Sequence, residues 1–440
     1  MRWYYSQFDR PSLSKFIFYD DSVQPEAPKL PTSRIFRNKG NAVFRTGWTP
    51  GDMVFLFRAG PNFNHHHADQ GSFLLTANGE VLISEAGWSD YYKDPYYATF
   101  FTQAVGHNTV LVGDNPQSQT IADTLQYKAL HSYPRITDSI TSEFYDGVRS
   151  ELSSVYQERL KSYVRSIVFV KPAYFVVFDD LKTNGTPEPF DFLLHLPNRN
   201  QIKIENLTAS YTGKKASLVV RSFPSNASKL TVTDGHIPYH IFAASTPAET
   251  PAQPAYLSFR TISPVTETQF LTAIVPAQSE SAAQSLSKAM SELAGENLRG
   301  IRVDRSDKSD LVMFRVGGDA QRIRQGEWSA DAASVVITQK ANGLETFAVQ
   351  RARELRRGNQ ILFASDSQIS VAANFRDGEV EIVGNTDKVA RVTVFIGRAP
   401  TRVLLDGREL GGNSFSFNHS DGTIALAIPG GQHDLKITLR

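Results

Sequence analysis

Four of the ten histidines lie near one another in the chain, at His65, His66, His67 and His107. Along an extended strand, residues two apart share a face, so His65, His67 and Asp69 would point to one side and His66 to the other. Two imidazoles and a carboxylate on one face could bind a divalent metal. They could equally form a hydrogen-bonded polar cluster on a solvated sheet face. A His-x-His pair alone does not decide between these interpretations.

The chain has no cysteine, so a transition metal would need histidine and carboxylate ligands. We predict a zinc site formed by His67, Glu85 and His107, drawn from three adjacent strands. Asp69 is expected to orient the ligand side chains without binding the metal itself. His65 then remains free for proton transfer or for neutralising a substrate carboxylate. The combination of three separate segments, rather than the His-x-His pair, carries this prediction.

Short segments rich in Val, Phe, Ile and Tyr follow one another from about Gly40 onward, each closed by Gly, Pro, Asn or Asp. This pattern predicts an all-β fold with a large antiparallel β-sandwich. Asn78-Gly79 separates two alternating runs and predicts a type I′ hairpin. Polar residues followed by Leu and Met at helical spacing in Ser279–Ala294 predict one helix inserted in the β protein.

The chain divides into three predicted regions. Residues 1–30 are aromatic and interrupted by prolines, which indicates a connector from an upstream domain, and residues 31–350 form the large sandwich. The basic run at Arg351–Asn359 interrupts the strands and is interpreted as a linker, with contact to a polyanion as the alternative. Residues 351–440 are predicted to form a smaller C-terminal β-sandwich with hairpins at Asp406-Gly407 and Asp421-Gly422.

The net charge of +1 argues against bulk electrostatic binding to DNA or to anionic membranes, although it permits a local basic groove for an acidic sugar. The first residues lack the basic-then-apolar layout of a secretory signal. No apolar run approaches the roughly 20 residues of a membrane-spanning helix. We therefore expect neither a signal peptide nor a membrane span in this sequence.

Three motifs resemble those of the heparinase II/III-like family: H-x-H-x-D-x-x-S-F from His65, E-x-G from Glu85 and H-N-T-V from His107. The similarity extends to KLPTSRIFRNKGNAVFRTGW and RSIVFVKPAYFVVFDDL, within residues 30–200. The family consists of lyases acting on uronic-acid polysaccharides such as heparan sulfate and alginate. Its members join an N-terminal α/α toroid to a β-sandwich, with the active site between the two.

The resemblance implies a zinc ion held by His67, Glu85 and His107. The family usually has aspartate at the position of Glu85, which is one methylene longer. The resemblance also implies that His65 faces the substrate and acts in catalysis. A tyrosine between the acid and the H-N-T-V motif lines the cleft in relatives. We favour Tyr92 as this catalytic residue, with other tyrosines as competitors: Tyr91, Tyr96 and Tyr97.

The implied reaction is a β-elimination, in which a base removes the C5 proton of a uronate while the 4-O-linked sugar leaves. The substrate carboxylate must be neutralised for that proton to become acidic. Arg58, in the strand before the histidines, is a candidate for this role because its guanidinium matches a carboxylate. An ordinary ion pair within the sheet is the alternative for Arg58. Tyr97 is the second candidate substrate-binding residue.

No series of amphipathic helices precedes Gly40, so the chain resembles half of such a lyase. The expected partners are an acidic polysaccharide or oligosaccharide and a toroid, in cis or as a separate chain. One alternative is a non-catalytic carbohydrate-binding or scaffold module with a structural metal. A self-sufficient metal hydrolase or cupin-like oxygenase is disfavoured by the ligand spacing. The family resemblance implies a periplasmic or extracellular location.

Overall fold

The computed structural model describes residues 13–20, 22–62, 66–87, 89, 93–120, 133–238 and 252–440. Strands dominate this part of the chain and form large antiparallel sheets, so the predicted all-β antiparallel fold is confirmed. None of the helices in these ranges is both long and apolar enough to cross a membrane.

The strands are numbered in chain order. Those before residue 113 are β1 (Arg34–Phe36), β2 (Asn41–Arg45), β3 (Val54–Arg58), β4 (Phe73–Ala77), β5 (Glu80–Ile83) and β6 (Val110–Val112). Those of the central region are β7 (Arg135–Thr141), β8 (Tyr145–Glu151), β9 (Leu160–Val170), β10 (Tyr174–Thr183), β11 (Phe190–Leu196), β12 (Ile202–Glu205), β13 (Thr208–Thr212), β14 (Ser217–Ser222), β15 (Ser228–Asp234), β16 (Ala255–Thr261) and β17 (Glu267–Ala277).

The C-terminal region begins after residue 289. Its strands are β18 (Met290–Gly295), β19 (Leu298–Asp304), β20 (Lys308–Arg315), β21 (Ile323–Gln325), β22 (Trp328–Asp331), β23 (Ser334–Lys340), β24 (Gly343–Arg357), β25 (Gln360–Arg376), β26 (Glu379–Thr386), β27 (Ala390–Phe395), β28 (Pro400–Leu405), β29 (Arg408–Glu409), β30 (Phe415–Asn418), β31 (Thr423–Ile428) and β32 (Gly431–Leu439).

The strands of the described chain form four sheets. The first has the order β1-β2-β3-β4-β5, the second β12-β13-β14-β17-β10-β9-β8-β7, and the third β15-β16-β11-β6. Apolar residues from these three sheets share one core. The first and third sheets meet where Ser84, just after β5, forms an isolated bridge with His195 of β11. This junction lies beside the loops that carry the predicted site.

The fourth sheet contains β18 to β32 and has an apolar core of its own. A further apolar cluster joins it to the second sheet, where Phe178 stacks on Phe314 with ring centroids 4.8 Å apart. The interpretation of Arg351–Asn359 as a break between strands is wrong, because Arg351–Arg357 continue β24 and pair with β25. Register shifts in this pairing and the positive φ of 48° at Arg351 disturb the two-residue period that would have revealed the strand.

Two α-helices occur in the described ranges: α1 (Leu13–Phe18) and α2 (Glu280–Lys288). Helix α2 begins as predicted, with Ser279 Oγ accepting a hydrogen bond from Ala282 N at 3.3 Å. Its predicted extension to Ala294 is wrong, because Met290–Gly295 forms β18 and pairs with β19. Met290 is buried between the second and fourth sheets, so tertiary packing overrides the helical pattern there.

Candidate active site

The loop between β3 and β4 carries His67 and Asp69, and its described residues form no strand. The strand predicted through this segment is therefore wrong, and His65 lies outside the described residues. The chain turns here because Ser72 N donates to Asp69 O at 3.0 Å and Gly71 adopts a φ of 84°, a conformation that favours glycine. The directions of the two side chains are thus set by the loop and not by strand alternation.

The structure brings His67, Glu85 and His107 together, although they come from loops at strand ends. The imidazole centroids of His67 and His107 are 5.3 Å apart, and His107 Nδ1 lies 3.2 Å from Glu85 Oε1. Ser72 Oγ donates to the same carboxylate oxygen at 2.6 Å. Side chains from three loops are therefore adjacent, with His107 next to both His67 and Glu85.

His107 is 1% exposed, and neither of its ring nitrogens makes a well-aligned hydrogen bond within the described residues. Nδ1 lies 3.2 Å from Glu85 Oε1, but a buried polar atom without a well-aligned partner costs about 1–3 kcal/mol, so a ligand on these nitrogens would be stabilising. Burial disfavours the charged form of His107, but the neighbouring Glu85 carboxylate raises its pKa. Burial would also raise the pKa of Glu85, but the nearby charge of His107 and the hydrogen bond from the Ser72 hydroxyl hold it at about 2.

His67 differs from His107 in its electrostatics. Burial, together with the nearby charge of His107, lowers the pKa of His67 to about 4. Its imidazole is therefore neutral at neutral pH, the form in which a histidine binds a metal ion or accepts a proton.

A zinc site needs its ligand side chains arranged around one point. In the described ranges, no group of three or more His, Asp or Glu side chains is arranged to hold a metal ion. The donors nevertheless fit zinc by type, because two imidazoles and a carboxylate are adjacent and neither nitrogen of His107 makes a well-aligned hydrogen bond in those ranges. Zinc binding by His67, Glu85 and His107 stays a prediction based on donor chemistry and proximity.

Asp69 contacts Arg58 in the structure. The guanidinium donates from Nε to Asp69 Oδ1 at 3.0 Å, and from Nη2 to the backbone oxygen of Pro61 at 3.3 Å and to the side-chain oxygen of Asn62. Arg58 therefore forms an ion pair with Asp69, and an ion pair was the alternative to substrate binding in the interpretation of the sequence. Arg58 also borders a cleft of about 260 Å³ that Asp69 and Glu85 line, so its position is compatible with a substrate contact.

Asn108, the second residue of the H-N-T-V motif, links the candidate site by hydrogen bonds to β4, to the end of β5 and to β11. Its Nδ2 donates to Phe73 O at 2.7 Å and to Ser84 O at 2.6 Å, and its Oδ1 accepts from His195 N at 2.6 Å. The backbone N of Asn108 donates to Ser72 Oγ at 3.0 Å. Because every polar atom of this amide is used, Asn108 sets the position of His107 beside it.

A buried arginine that was not predicted from the sequence forms hydrogen bonds to two loops of the candidate site. Arg165 of β9 is fully buried and forms a bidentate pair with Asp179 of β10, with Nε–Oδ1 at 2.6 Å and Nη2–Oδ2 at 2.9 Å. Its Nη1 donates to the backbone oxygens of Gly71 and Asn108. One guanidinium thus ties the loop of His67 to the loop of His107. A lone charge within the apolar run of β9 is the sequence feature that could have revealed it.

His195 of β11 is a second residue that sequence reasoning missed. It is buried, its Nδ1 lies 3.1 Å from Asn108 Oδ1, and its Nε2 has no hydrogen-bond partner in the described chain. Burial and the charge of His107 lower its pKa to about 3, so its ring is neutral. A histidine within the buried strand FDFLLHL was the available indication.

Among the candidate tyrosines, Tyr91 and Tyr92 lie outside the described residues. Tyr97 begins the short π-helix Tyr97–Phe101 and is partly exposed. Tyr96 precedes this helix, is 42% exposed and stacks on His236 with ring centroids 3.5 Å apart and planes inclined by 13°. His236 was not predicted from the sequence, and its pairing with Tyr96 depends on two segments distant in the chain.

The fold matches solved structures of polysaccharide lyases. Heparan sulfate lyase HepC from Pedobacter heparinus superposes with a TM-score of 0.54 at 19% identity, over 69% of this chain and 46% of that chain. Xanthan lyase from Paenibacillus gives 0.52 at 10% identity, over 97% and 39%. Chondroitin AC lyase from Streptomyces coelicolor A3 gives 0.50 at 12% identity, over 96% and 51%. The chain therefore has the β-sheet architecture found in polysaccharide lyases and spans about half the length of these proteins or less.

Residues 28–341 match the family described as heparinase II/III-like, C-terminal. This range covers most of the chain and contains every predicted site residue, and the chain belongs to this family. No curated protein sequence matches it significantly.

Proposed function

We propose that this chain forms the β-sandwich side of the active site of a lyase that cleaves uronic-acid polysaccharides by β-elimination. The observation that carries the proposal is the meeting of His67, Glu85 and His107 beside the cleft bordered by Arg58, in a chain of the heparinase II/III-like family. Similar folds occur in lyases named for heparan sulfate, chondroitin and xanthan, which are acidic polysaccharides.

In this reaction a base removes the C5 proton of the uronate, the electron pair forms the C4–C5 double bond, and the C4–O4 bond breaks. A general acid then protonates the leaving oxygen. We assign proton transfer to His65 and Tyr92. We assign Arg58 to the uronate carboxylate, in exchange for part of its contact with Asp69, because a guanidinium donates bidentately to carboxylates. Tyr97 is assigned to substrate binding.

We further propose one zinc ion bound by His67, Glu85 and His107, with Asp69 outside the ligand set. A zinc ion at this point would fix three loops and add positive charge beside the cleft. The chain's own residues support this role: the ring of His67 is neutral, and the carboxylate of Glu85 is ionised and fixed by Ser72.

Because the chain spans less than half the length of the heparan sulfate lyase that it resembles, we propose that an α/α toroid completes the cleft. The toroid would belong to the same polypeptide or to a separate chain. The other wall of the substrate cleft, with further groups for the uronate, would then come from the toroid.

The test combines turnover with metal content. The chain is incubated with heparan sulfate or alginate, alone and with its toroid, and the ultraviolet absorbance of the unsaturated uronate product is followed. Elemental analysis should give about one zinc per chain, lost in His67→Ala and in His107→Ala. His419→Ala removes an exposed histidine distant from the site and serves as the control.

Absence of product with the toroid present would contradict the lyase proposal. Sugar binding without turnover would instead favour a non-catalytic carbohydrate-binding module. A full chain that contains no zinc, and whose stability does not change when zinc is added, would contradict the metal assignment.

A further inference from the structure

A row of side chains on the outer face of the first sheet leads towards the candidate site. Phe36 of β1 pairs with Asn41 of β2, and Asn41 pairs with Arg58 of β3, so all three share one face. With strands about 4.8 Å apart, Phe36 lies two spacings, about 10 Å, from Arg58. The backbone N of Arg58 donates to Ser72 O at 3.0 Å, which continues the row to the loop of His67.

Two clefts meet at Phe36, whose ring is 45% exposed. The smaller, of about 260 Å³, runs over the sheet from Phe36 to Arg58, Asp69 and Glu85. The larger, of about 720 Å³, lies between β1 and the fourth sheet and also includes Phe36 in its wall. The two clefts therefore adjoin at Phe36 on the edge strand, and together they are called the groove below.

The far part of this groove is basic. Arg34 and Lys39 are exposed and form no ion pair with any residue in the described ranges. The guanidinium of Arg34 lies 5.8 Å from the Phe36 ring centroid. Arg37 lies 3.6 Å from the carboxylate of Asp387, but that side chain is 94% exposed, so solvent screens the pair. Three cations thus face one carboxylate in a protein whose net charge is only +1.

We propose that this groove binds the part of an acidic polysaccharide that extends beyond the sugar held at the candidate site. Arg34, Arg37 and Lys39 would pair with carboxylate or sulfate groups, since charge-assisted hydrogen bonds to such groups are strong. The exposed face of Phe36 would pack against the apolar face of a sugar ring. The opposite wall includes Thr141, Asn385 and Gln432, whose side chains hydrogen-bond within the protein: Thr141 with Gln432, and Asn385 with the Ser139 carbonyl.

This inference deepens the proposed function, and it rests on it. A polymer of acidic sugars is favoured over a protein partner because the cores of protein interfaces are depleted of charged residues. Here Arg34 and Lys39, which form no ion pair within the described ranges, line the same cleft as the exposed Phe36. The groove also opens directly from the site where the reacting sugar would lie.

The test measures binding without turnover. The full chain and the Arg34→Ser/Lys39→Ser variant are compared for equilibrium binding to immobilised heparan sulfate and alginate at low and at high salt. Lys161→Ser/Arg324→Ser removes the same charge from exposed residues elsewhere and is the matched control. Arg34→Lys/Lys39→Arg keeps the charge, and neutral dextran serves as the uncharged probe.

We expect the Arg34→Ser/Lys39→Ser variant to bind about tenfold more weakly at low salt and the difference to shrink at high salt. The control and the charge-conserving variant should bind like the parent chain, all with the same melting temperature. Equal losses in the control, or no loss in the test variant, would overturn the inference. If binding falls only in the test variant while no preparation forms product, the groove assignment stands and the lyase proposal fails.

Discussion

Replacing Asp179 by asparagine tests whether the buried ion pair with Arg165 supports the candidate site. Asparagine keeps the size and shape of the side chain and removes only its charge. Both residues are fully buried, and the pair is bidentate at 2.6 and 2.9 Å. Arginine remains protonated in proteins, and the Asp179 carboxylate more than offsets burial and raises the pKa of Arg165 further. The variant therefore leaves a buried cation without its countercharge.

Removing one partner of a buried ion pair costs about 3–5 kcal/mol of unfolding free energy. We expect Asp179→Asn to lie at the lower end, about 3 kcal/mol, because the backbone oxygens of Gly71 and Asn108 still accept from Arg165. Arg165→Met should cost more, about 5 kcal/mol, because it leaves a buried carboxylate and two unpaired carbonyls. The double variant Arg165→Met/Asp179→Leu should cost less than Arg165→Met alone, because no buried charge remains.

Urea unfolding followed by circular dichroism measures these differences. Asp180→Asn is the matched control, because the neighbouring carboxylate is only partly buried and accepts one side-chain hydrogen bond, from Gln269 Nε2 at 2.9 Å. It should change the unfolding free energy by less than about 1 kcal/mol. Amide hydrogen exchange at residues 66–72 and 107–109 should accelerate in Asp179→Asn. A loss below about 1 kcal/mol in Asp179→Asn, or a double variant less stable than both single variants, would refute the reasoning.

Three further predictions follow from the structure. Gly71→Ala should lower the unfolding free energy by about 2–4 kcal/mol, because Gly71 has a φ of 84° and an added Cβ would lie 2.7 Å from a leucine methyl group. The control is Gly185→Ala, at a φ of 108° with open space around it. This control should lower the unfolding free energy by about 1 kcal/mol in the same urea assay. Asn108→Ala removes the partner of three backbone groups, two buried and one partly buried, and should cost at least about 3 kcal/mol. The hydrogen bond to Asp406 raises the pKa of His433, so this pair stabilises the fold below the unfolded value of about 6.5 and less as pH rises through the folded pKa. An NMR titration should show the His433 pKa falling in Asp406→Asn, and an unchanged value would contradict the assignment.

The local features of the fold were predictable because single residues determine them. Asn78 and Gly79 have φ values of 52° and 71°, the pair of positive angles that a type I′ turn requires, so that predicted hairpin is confirmed. Asp406 and Gly407, at 50° and 77°, confirm the second. The Asp421-Gly422 pair also lies in a hairpin, but within the longer connection 419–422, where only Gly422 has a positive φ.

Features set by distant contacts were not predictable in the same way. The helical pattern of Ser279–Ala294 continues past Lys288, but pairing with β19 turns its last residues into a strand. The alternation assumed at His67 and Asp69 fails because Arg165, far along the chain, holds the loop by its backbone. His195 reaches Asn108 across 87 residues of sequence. The pattern of residue types along the sequence carries no information about such distant contacts.

The motif residues on which the family resemblance rests have two different roles in the structure. Asp69, Ser72 and Asn108 use their polar atoms on Arg58, on Glu85 and on backbone groups, so they build the loops. His107, in contrast, is buried with Nδ1 3.2 Å from Glu85 Oε1, and neither ring nitrogen makes a well-aligned hydrogen bond in the described part of the chain. A non-catalytic binding module could keep the loop-building residues and have no lyase activity. A substitution of His107, which lies beside Glu85 and builds no loop by well-aligned hydrogen bonds in the described chain, therefore distinguishes a reactive or metal-binding site from a binding module better than the presence of the motif does.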